Sequence, residues 1–225
     1  MEILYEDNHI IAVNKNCSEI VQGDKTGDET LPDMIKTYLK EKYNKPGKVF
    51  CGVTHRLDRP VSGVVLFAKT SKALSRLNDM FKNQAIHKTY WAIVKNPPQE
   101  PADKLEHYLV RNEKQNKSYA YDSQKGSSKK AVLYYKTIAQ SDNYTLLEVK
   151  LETGRHHQIR CQLAKIGSPI KGDLKYGFPR SNPDGGISLH ARSVEFEHPV
   201  TKEHISIIAE VPHDKLWQEI TKKID

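Results

Sequence analysis

Cysteine is scarce here: Cys17, Cys51 and Cys161 stand apart, odd in number and without a Cys-x-x-Cys pair. That excludes a disulfide framework and a zinc ribbon, and it fits a reducing cytoplasm. No apolar run approaches the length a membrane helix needs, so no membrane partner is expected. Residues 1–7 lack a basic stretch followed by an apolar run, and no signal peptide is expected there. The chain has no internal repeat and no low-complexity tract. It also lacks the Gly-x-Ser-x-Gly elbow of a triad hydrolase and the Gly-x-Gly-x-x-Gly, Val-Ala-Ile-Lys and Asp-Phe-Gly segments of a kinase. The ten histidines are scattered, and the one adjacent pair, His156-His157, is expected to point to different faces of a helix. A metal cluster is therefore not expected.

What is abundant is charge of one sign. Thirty-five Lys and Arg face 28 Asp and Glu, a net charge of +7 over 225 residues. That balance favours an anionic partner, nucleic acid before membrane, because no basic amphipathic helix with a Trp/Phe/Leu face occurs. Hydrophobic residues make up 37%, enough for an ordinary globular core.

Short β-rich runs at residues 3–5 and 10–13 flank Asp7-Asn8-His9, a hairpin signal. Thr30 then reads as the N-cap of a helix reaching about Tyr43, with Leu31, Met34, Ile35, Tyr38 and Leu39 at helical spacing and Lys45-Pro46-Gly47 as the stop. Ser71 reads as the cap of a second amphipathic helix through Leu74, Leu77 and Phe81. Strands are expected at residues 49–53, 64–68, 87–94, 108–111, 118–121, 131–138, 144–151, 188–196 and 204–211. The basic segment 124–130 reads as a solvated hairpin tip, and His198-Pro199 as the turn of the last hairpin. Ile159, Leu163 and Ile166 form a helical stripe that Gly167 ends, and Leu216, Trp217 and Ile220 mark a short terminal helix. The sum is an α/β domain of α+β type whose sheet is mostly antiparallel.

Two cation-rich segments carry the chemistry. In Thr54-His55-Arg56-Leu57-Asp58-Arg59-Pro60-Val61-Ser62-Gly63 one aspartate lies between two arginines, just before the apolar run 64–68. Each neighbouring cation favours the carboxylate form, and loops at the mouth of a buried strand commonly hold catalytic groups. Taken alone, the cluster reads first as a surface ion pair. The second segment, Gly154-Arg155-His156-His157-Gln158-Ile159-Arg160, crowds polar residues at a helix start, where backbone N–H groups favour anions.

Together these motifs resemble the RluA-type family of RNA pseudouridine synthases. The family's His-Arg-Leu-Asp-x-x-(Thr/Ser)-Ser-Gly stands at residues 55–63, its Lys-x-Tyr-x-Ala-x-Val at 88–94 and its Gly-Arg-x-His-Gln-Ile-Arg at 154–160. Pro169-Ile170-Lys171-Gly172-Asp173-Leu174-Lys175-Tyr176-Gly177 and Leu189-His190-Ala191 follow in the family's order, and the first hairpin ends in the matching Asn14-Lys15. Departures are Asn16-Cys17-Ser18 for the usual Pro-x-Gly, Val61 for Thr, and Cys161-Gln162 for Val-His.

The resemblance implies a single catalytic domain over residues 1–225, without the S4-type RNA-binding domain of many relatives. Its fold would be a central, mostly antiparallel mixed sheet flanked by helices and loops, with the active-site cleft across the sheet. The implied activity is isomerisation of uridine to pseudouridine in ribosomal or transfer RNA, with no metal or cofactor, by a cytoplasmic monomer that takes structured RNA as substrate. By analogy Asp58 is the catalytic carboxylate, Arg160 its partner, and Tyr90 the residue that stacks on the target uracil. Arg56 would enter the stack vacated by the flipped base, and His55, Arg59, Arg155, His157 and Gln158 would contact RNA. Two other classes share parts of this pattern: a non-catalytic RNA-binding or RNA-folding protein on the same fold, and a nucleobase glycosylase that releases free uracil.

Overall fold

A computed structural model describes residues 1–224. The chain runs through β1 (Glu2–Glu6), β2 (Ile10–Lys15), α1 (Leu31–Lys42), β3 (Gly52–Val53), β4 (Ser62–Ala68), α2 (Ser71–Lys82) and β5 (His87–Val94). It continues with β6 (Ala102–Asn112), β7 (Lys117–Tyr121), β8 (Lys129–Gln140), β9 (Thr145–Leu151) and α3 (Gln158–Lys165). After a 3-10 turn at Leu174–Tyr176 come β10 (Leu189–Glu197), β11 (His204–Ile208) and α4 (Lys215–Thr221). The fold is thus mixed α/β, and the pairs β1–β2, β2–β4, β3–β4, β10–β11, β5–β9, β9–β8, β8–β6 and β6–β7 are all antiparallel.

Two compact units divide the chain, one formed by Met1–His87 with Ala191–Glu210, the other by Lys88–His190 with Val211–Asp225. In the first, the strands follow the order β1-β2-β4-β10, with β11 beside β10 and β3 beside β4. All seven residues of β4 are buried, which explains its unbroken apolar run: both faces are covered, so the period-two alternation is lost. Ile10, Ala12, Val64 and Leu66 pack with Leu77 of α2 and with Phe196 and Ile207. Each large aliphatic side chain buried in this way contributes about 1.5–3 kcal/mol.

The helix ends follow the sequence closely. Thr30 accepts the Asp33 N–H at 3.3 Å and donates its hydroxyl to the Asp33 carboxylate at 2.6 Å, while Pro32 occupies the first turn, where its missing N–H costs nothing. The cap of α2 is Thr70 rather than Ser71: Thr70 is extended (φ −138°, ψ 152°) and accepts from Ala73 N–H at 3.1 Å, whereas Ser71 is already helical. His198, expected only to turn the last hairpin, is fully buried and accepts from the N–H groups of Val200 and Thr201 at 3.2 and 2.9 Å.

In the second unit the order is β5-β9-β8-β6-β7. β5 spans residues 87–94 as expected, but β6 is 11 residues long rather than four, because the exposed Asp103, Lys104 and Glu106 extend the strand without breaking it. Segment 124–130 is not a hairpin tip. β7 and β8 both pair with β6, and Tyr108 faces Tyr121 on one side and Lys130 on the other, so the connection carries the chain across β6. α3 ends in Gly167 at φ +83°, with Gly167 and Ser168 N–H returning to the carbonyls of Ala164 and Leu163. Trp217 and Ile220 of α4 pack on Ile93 and Leu146.

One glycine is required by its surroundings. Gly63, the second residue of β4, has φ +114°, and a Cβ there would run into the backbone of Ala191. Gly63→Ala is therefore expected to lower the unfolding free energy by about 3 kcal/mol, read as a shift in the urea midpoint. An unchanged midpoint would contradict the close approach.

Candidate active site

The loop joining β3 to β4 is held from four sides. The Thr54 hydroxyl donates to the Leu66 carbonyl, and His55 Nε2 accepts the Leu66 N–H at 3.0 Å while its ring packs on Phe81 at 4.8 Å. Leu57 is buried, and Val61 N–H closes a turn on the Asp58 carbonyl at 3.0 Å. Asp58 itself is half-buried at the head of that turn.

Beneath the turn lies Lys15, at the end of β2 and with no exposed surface. Its ammonium donates to the carbonyls of Val61 at 2.6 Å, Asn16 at 2.9 Å and Arg59 at 3.0 Å. An ammonium buried without such acceptors would be far too costly, so the three carbonyls and the lysine fix one another. Burial pulls Lys15 down to about 8, with the negative charges of Glu19 and Asp58 working in the opposite direction. Arg59 faces away from this centre. It pairs with Asp28 at 2.7 Å and Asp24 at 2.8 Å, also reaches Thr26 Oγ1 at 2.8 Å, and so pins loop 18–28 to the turn. The hydrogen bonds it donates to the Asp24 and Asp28 carboxylates hold the guanidinium well in its charged form. Arg56 is exposed, with Nη1 2.5 Å from Gln22 Oε1.

The second unit holds the other candidates. Tyr90, on β5, is 6% exposed and stands opposite Val149 of β9. Arg160, in the first turn of α3, is buried and forks onto Asp173: Nε to Oδ2 at 2.7 Å and Nη2 to Oδ1 at 2.9 Å. Such a pair is short and planar, and it fixes the guanidinium's orientation. The Tyr176 ring lies under it, 5.1 Å from Cζ. The Tyr176 oxygen accepts Ser118 N–H at 2.8 Å and meets His157 Nδ1 at 3.0 Å. Burial first, and the nearby Cys161 and Asp173 in addition, push the Tyr176 phenol well above its ordinary range, so it stays protonated.

Two residues in the 154–160 segment serve the fold. Gln158 Oε1 accepts Thr153 Oγ1 at 2.8 Å and Arg155 N–H at 2.9 Å, and its Nε2 donates to Val132 O at 3.0 Å. One N–H expected to serve an anion is thus taken by the segment's own amide. His156 and His157 do not diverge on a helix. Both precede α3 and stack at 3.8 Å, because His157 adopts φ +53° and folds the backbone back. Arg155 is exposed, its Nε on Lys130 O at 3.0 Å. No cluster of three metal-ligating side chains occurs among the described residues. No helix among them is long and apolar enough to cross a membrane.

Lys15, Asp173 and Tyr176 lie in segments matched by sequence, but the sequence reading gave them no role at the site. The last two sit in the 169–177 motif, and a buried arginine's need for a carboxylate is the signal that points to Asp173.

The RNA pseudouridylate synthase profile matches residues 9–165. The chain is 32% identical to tRNA pseudouridine synthase C of Vibrio vulnificus, over all of this chain and 96% of that protein. It is 31% identical to ribosomal large subunit pseudouridine synthase D of Zymomonas mobilis, over 95% of this chain and 70% of that one. Human RNA pseudouridylate synthase domain containing 4 shares the fold, with a TM-score of 0.81 at 21% identity over 96% of this chain and 90% of its own. The chain belongs to the RluA-type family of RNA pseudouridine synthases, and its enzyme class is isomerase.

Lys15 offers a direct test of the loop. With a folded value of about 8 against an ordinary 10.5, the unfolded chain keeps, between those pH values, a proton that the folded chain has released. Lys15 thus adds stability as pH rises through that window, about 3 kcal/mol on completion, and the gain is lost as pH falls through about 8. Lys15→Met abolishes this slope, so the difference in unfolding free energy between wild type and variant should widen with pH over the same window. A difference independent of pH would contradict a buried, titrating ammonium.

Proposed function

We propose that the protein isomerises uridine to pseudouridine in structured RNA of the transfer or ribosomal class, with Asp58 as the catalytic carboxylate. The observation that carries this reading is the Asp58 turn, pinned by the three carbonyls on Lys15 and closed by Val61 N–H. A reacting carboxylate on a loop held this firmly keeps its direction of attack. The family resemblance supplies the role, and the relatives named for tRNA and for the large ribosomal subunit supply the substrate classes.

In this reaction the bond from uracil N1 to C1′ breaks, the base turns, and C5 bonds to C1′. C5 gives up its proton and N1 gains one, so no atoms or electrons are gained or lost. Asp58 serves it in one of two ways, by forming a transient bond to the sugar or base, or by removing the 2′ proton to give a glycal. Both need the ionised carboxylate. Tyr90 stacks on the uracil. The resemblance gives Arg160 the role of partner to the catalytic carboxylate, and within its own unit Asp173 fixes the guanidinium plane. The target base must leave its stack, and the exposed Arg56 fills the gap. Arg155, also exposed, contacts phosphate. His55, Arg59, His157 and Gln158 contribute through the loops they hold.

Asp58→Asn is expected to reduce pseudouridine formation by about 10³-fold or more while RNA affinity is retained. The measurement is chemical derivatisation of the modified base in transfer and ribosomal RNA treated with each protein. Full activity in Asp58→Asn would overturn the assignment.

A further inference from the structure

The β6–β7 hairpin has two unlike faces. Leu109, Ala120 and the neighbouring Ala131 turn inward and pack with Cys161, Ala164 and Tyr176. The other face carries tyrosines. Tyr108 stands opposite Tyr121, and Val110 opposite Tyr119, so the alternation of the strand puts all four on the side away from that cluster. Tyr119 is 37% exposed, and on β8 the 44% exposed Tyr134 stands opposite Lys104. Tyr119 and Tyr121, two residues apart, stand about 6.8 Å apart along the strand, within reach of successive nucleotides in an extended chain.

Cations accompany the rings. Lys125 Nζ lies 4.6 Å from the Tyr121 centroid and Lys104 Nζ 5.8 Å from Tyr134, while Lys117 Nζ lies 5.5 Å from Tyr119 and 5.2 Å from Tyr176. Between residues 102 and 136 there are eight Lys and Arg against four Asp and Glu. Of the acidic residues at this face, Glu106 is offset by Lys130 at 2.6 Å and Lys104 at 3.7 Å, and Glu152 accepts the Tyr134 hydroxyl at 3.0 Å. The basic segment 124–130 therefore does more than cross β6, since it lays Lys125 over an aromatic ring.

We propose that this face, with Tyr108, Tyr119 and Tyr121 beside Lys117 and Lys125, binds an unpaired segment of the RNA substrate, bases stacking on the rings and lysines taking the phosphates. The proposal rests on the reading of the chain as an RNA-modifying enzyme. Charge alone would suit any polyanion, but flat rings add affinity only for bases whose faces are open. Duplex RNA offers phosphates and 2′-hydroxyls instead. Stacking of this kind tolerates any base, so the platform holds flanking RNA and leaves the choice of uridine to the catalytic loop.

The test uses the full chain and a fluorescein-labelled decauridylate, with affinity read by fluorescence anisotropy. Tyr119→Ala combined with Tyr121→Ala is expected to weaken binding about 10–100-fold, and Tyr119→Phe with Tyr121→Phe to restore it. An abasic ten-mer is expected to bind wild type as weakly as the decauridylate binds the alanine variant. Should the alanine variant fail to fold, the phenylalanine variant and the abasic probe on wild type still decide. Equal affinity for decauridylate and the abasic ten-mer, or an alanine variant that binds as wild type does, would overturn the platform. Asp58→Asn separates this from the catalytic reading, because it should bind decauridylate normally. Tyrosine-dependent binding in a wild-type protein that forms no pseudouridine would support the platform and sink only the catalytic assignment.

Discussion

A buried lysine ammonium organises the part of this molecule that matters most. Lys15 ends β2 with no exposed surface and can be charged there only because the carbonyls of Asn16, Arg59 and Val61 converge on it. Two of those carbonyls, from Arg59 and Val61, belong to the Asp58 turn itself, and the third, from Asn16, to the start of the loop after β2. One cation thus makes the end of a strand, a turn and a loop mutually dependent. Ser18 N–H on the Arg59 carbonyl and the Arg59 pairs with Asp24 and Asp28 extend the same dependence outward. Screened surface pairs of this sort contribute little stability alone, so their value here lies in fixing a loop.

The second unit applies the same constraint to another buried cation. Arg160 is buried and must have a carboxylate, and Asp173 meets it with both oxygens. Tyr176, three residues further on, is held by Ser118 and His157 and lies under the guanidinium. Removing either member of such a pair strands a charge away from water, which costs about 3–5 kcal/mol. The residues that place a functional group are therefore under as much physical constraint as the group itself.

Much of this was legible in the sequence where the signal was local. The Thr30 cap, the helical spacing of Leu31, Ile35 and Leu39, the strand 87–94 and the stop at Gly167 each depend on neighbours within a turn or two. Asp58 and Arg160 were picked out through ordered motifs spread along the chain. What escaped depends on long-range placement. Nothing near Lys15 announces that Val61, 46 residues away, needs its ammonium. The 13-residue separation of Arg160 and Asp173 has no periodic signature. The crossing of β6 by segment 124–130 is a matter of which edge each strand takes, and hydrophobic alternation does not encode that. His157 escaped for a different reason, because a left-handed backbone at a non-glycine residue is seldom foreseeable from composition.

The central claim is that the chain rearranges a glycosidic bond within RNA rather than breaking it for good. Uridine tritiated at C5 measures this directly, because bonding C5 to C1′ expels that hydrogen. With a tritiated transfer or ribosomal RNA transcript, tritium is expected to enter water in step with the pseudouridine formed, while no free uracil appears. Release of free uracil, or pseudouridine-free RNA after full incubation, would contradict the account.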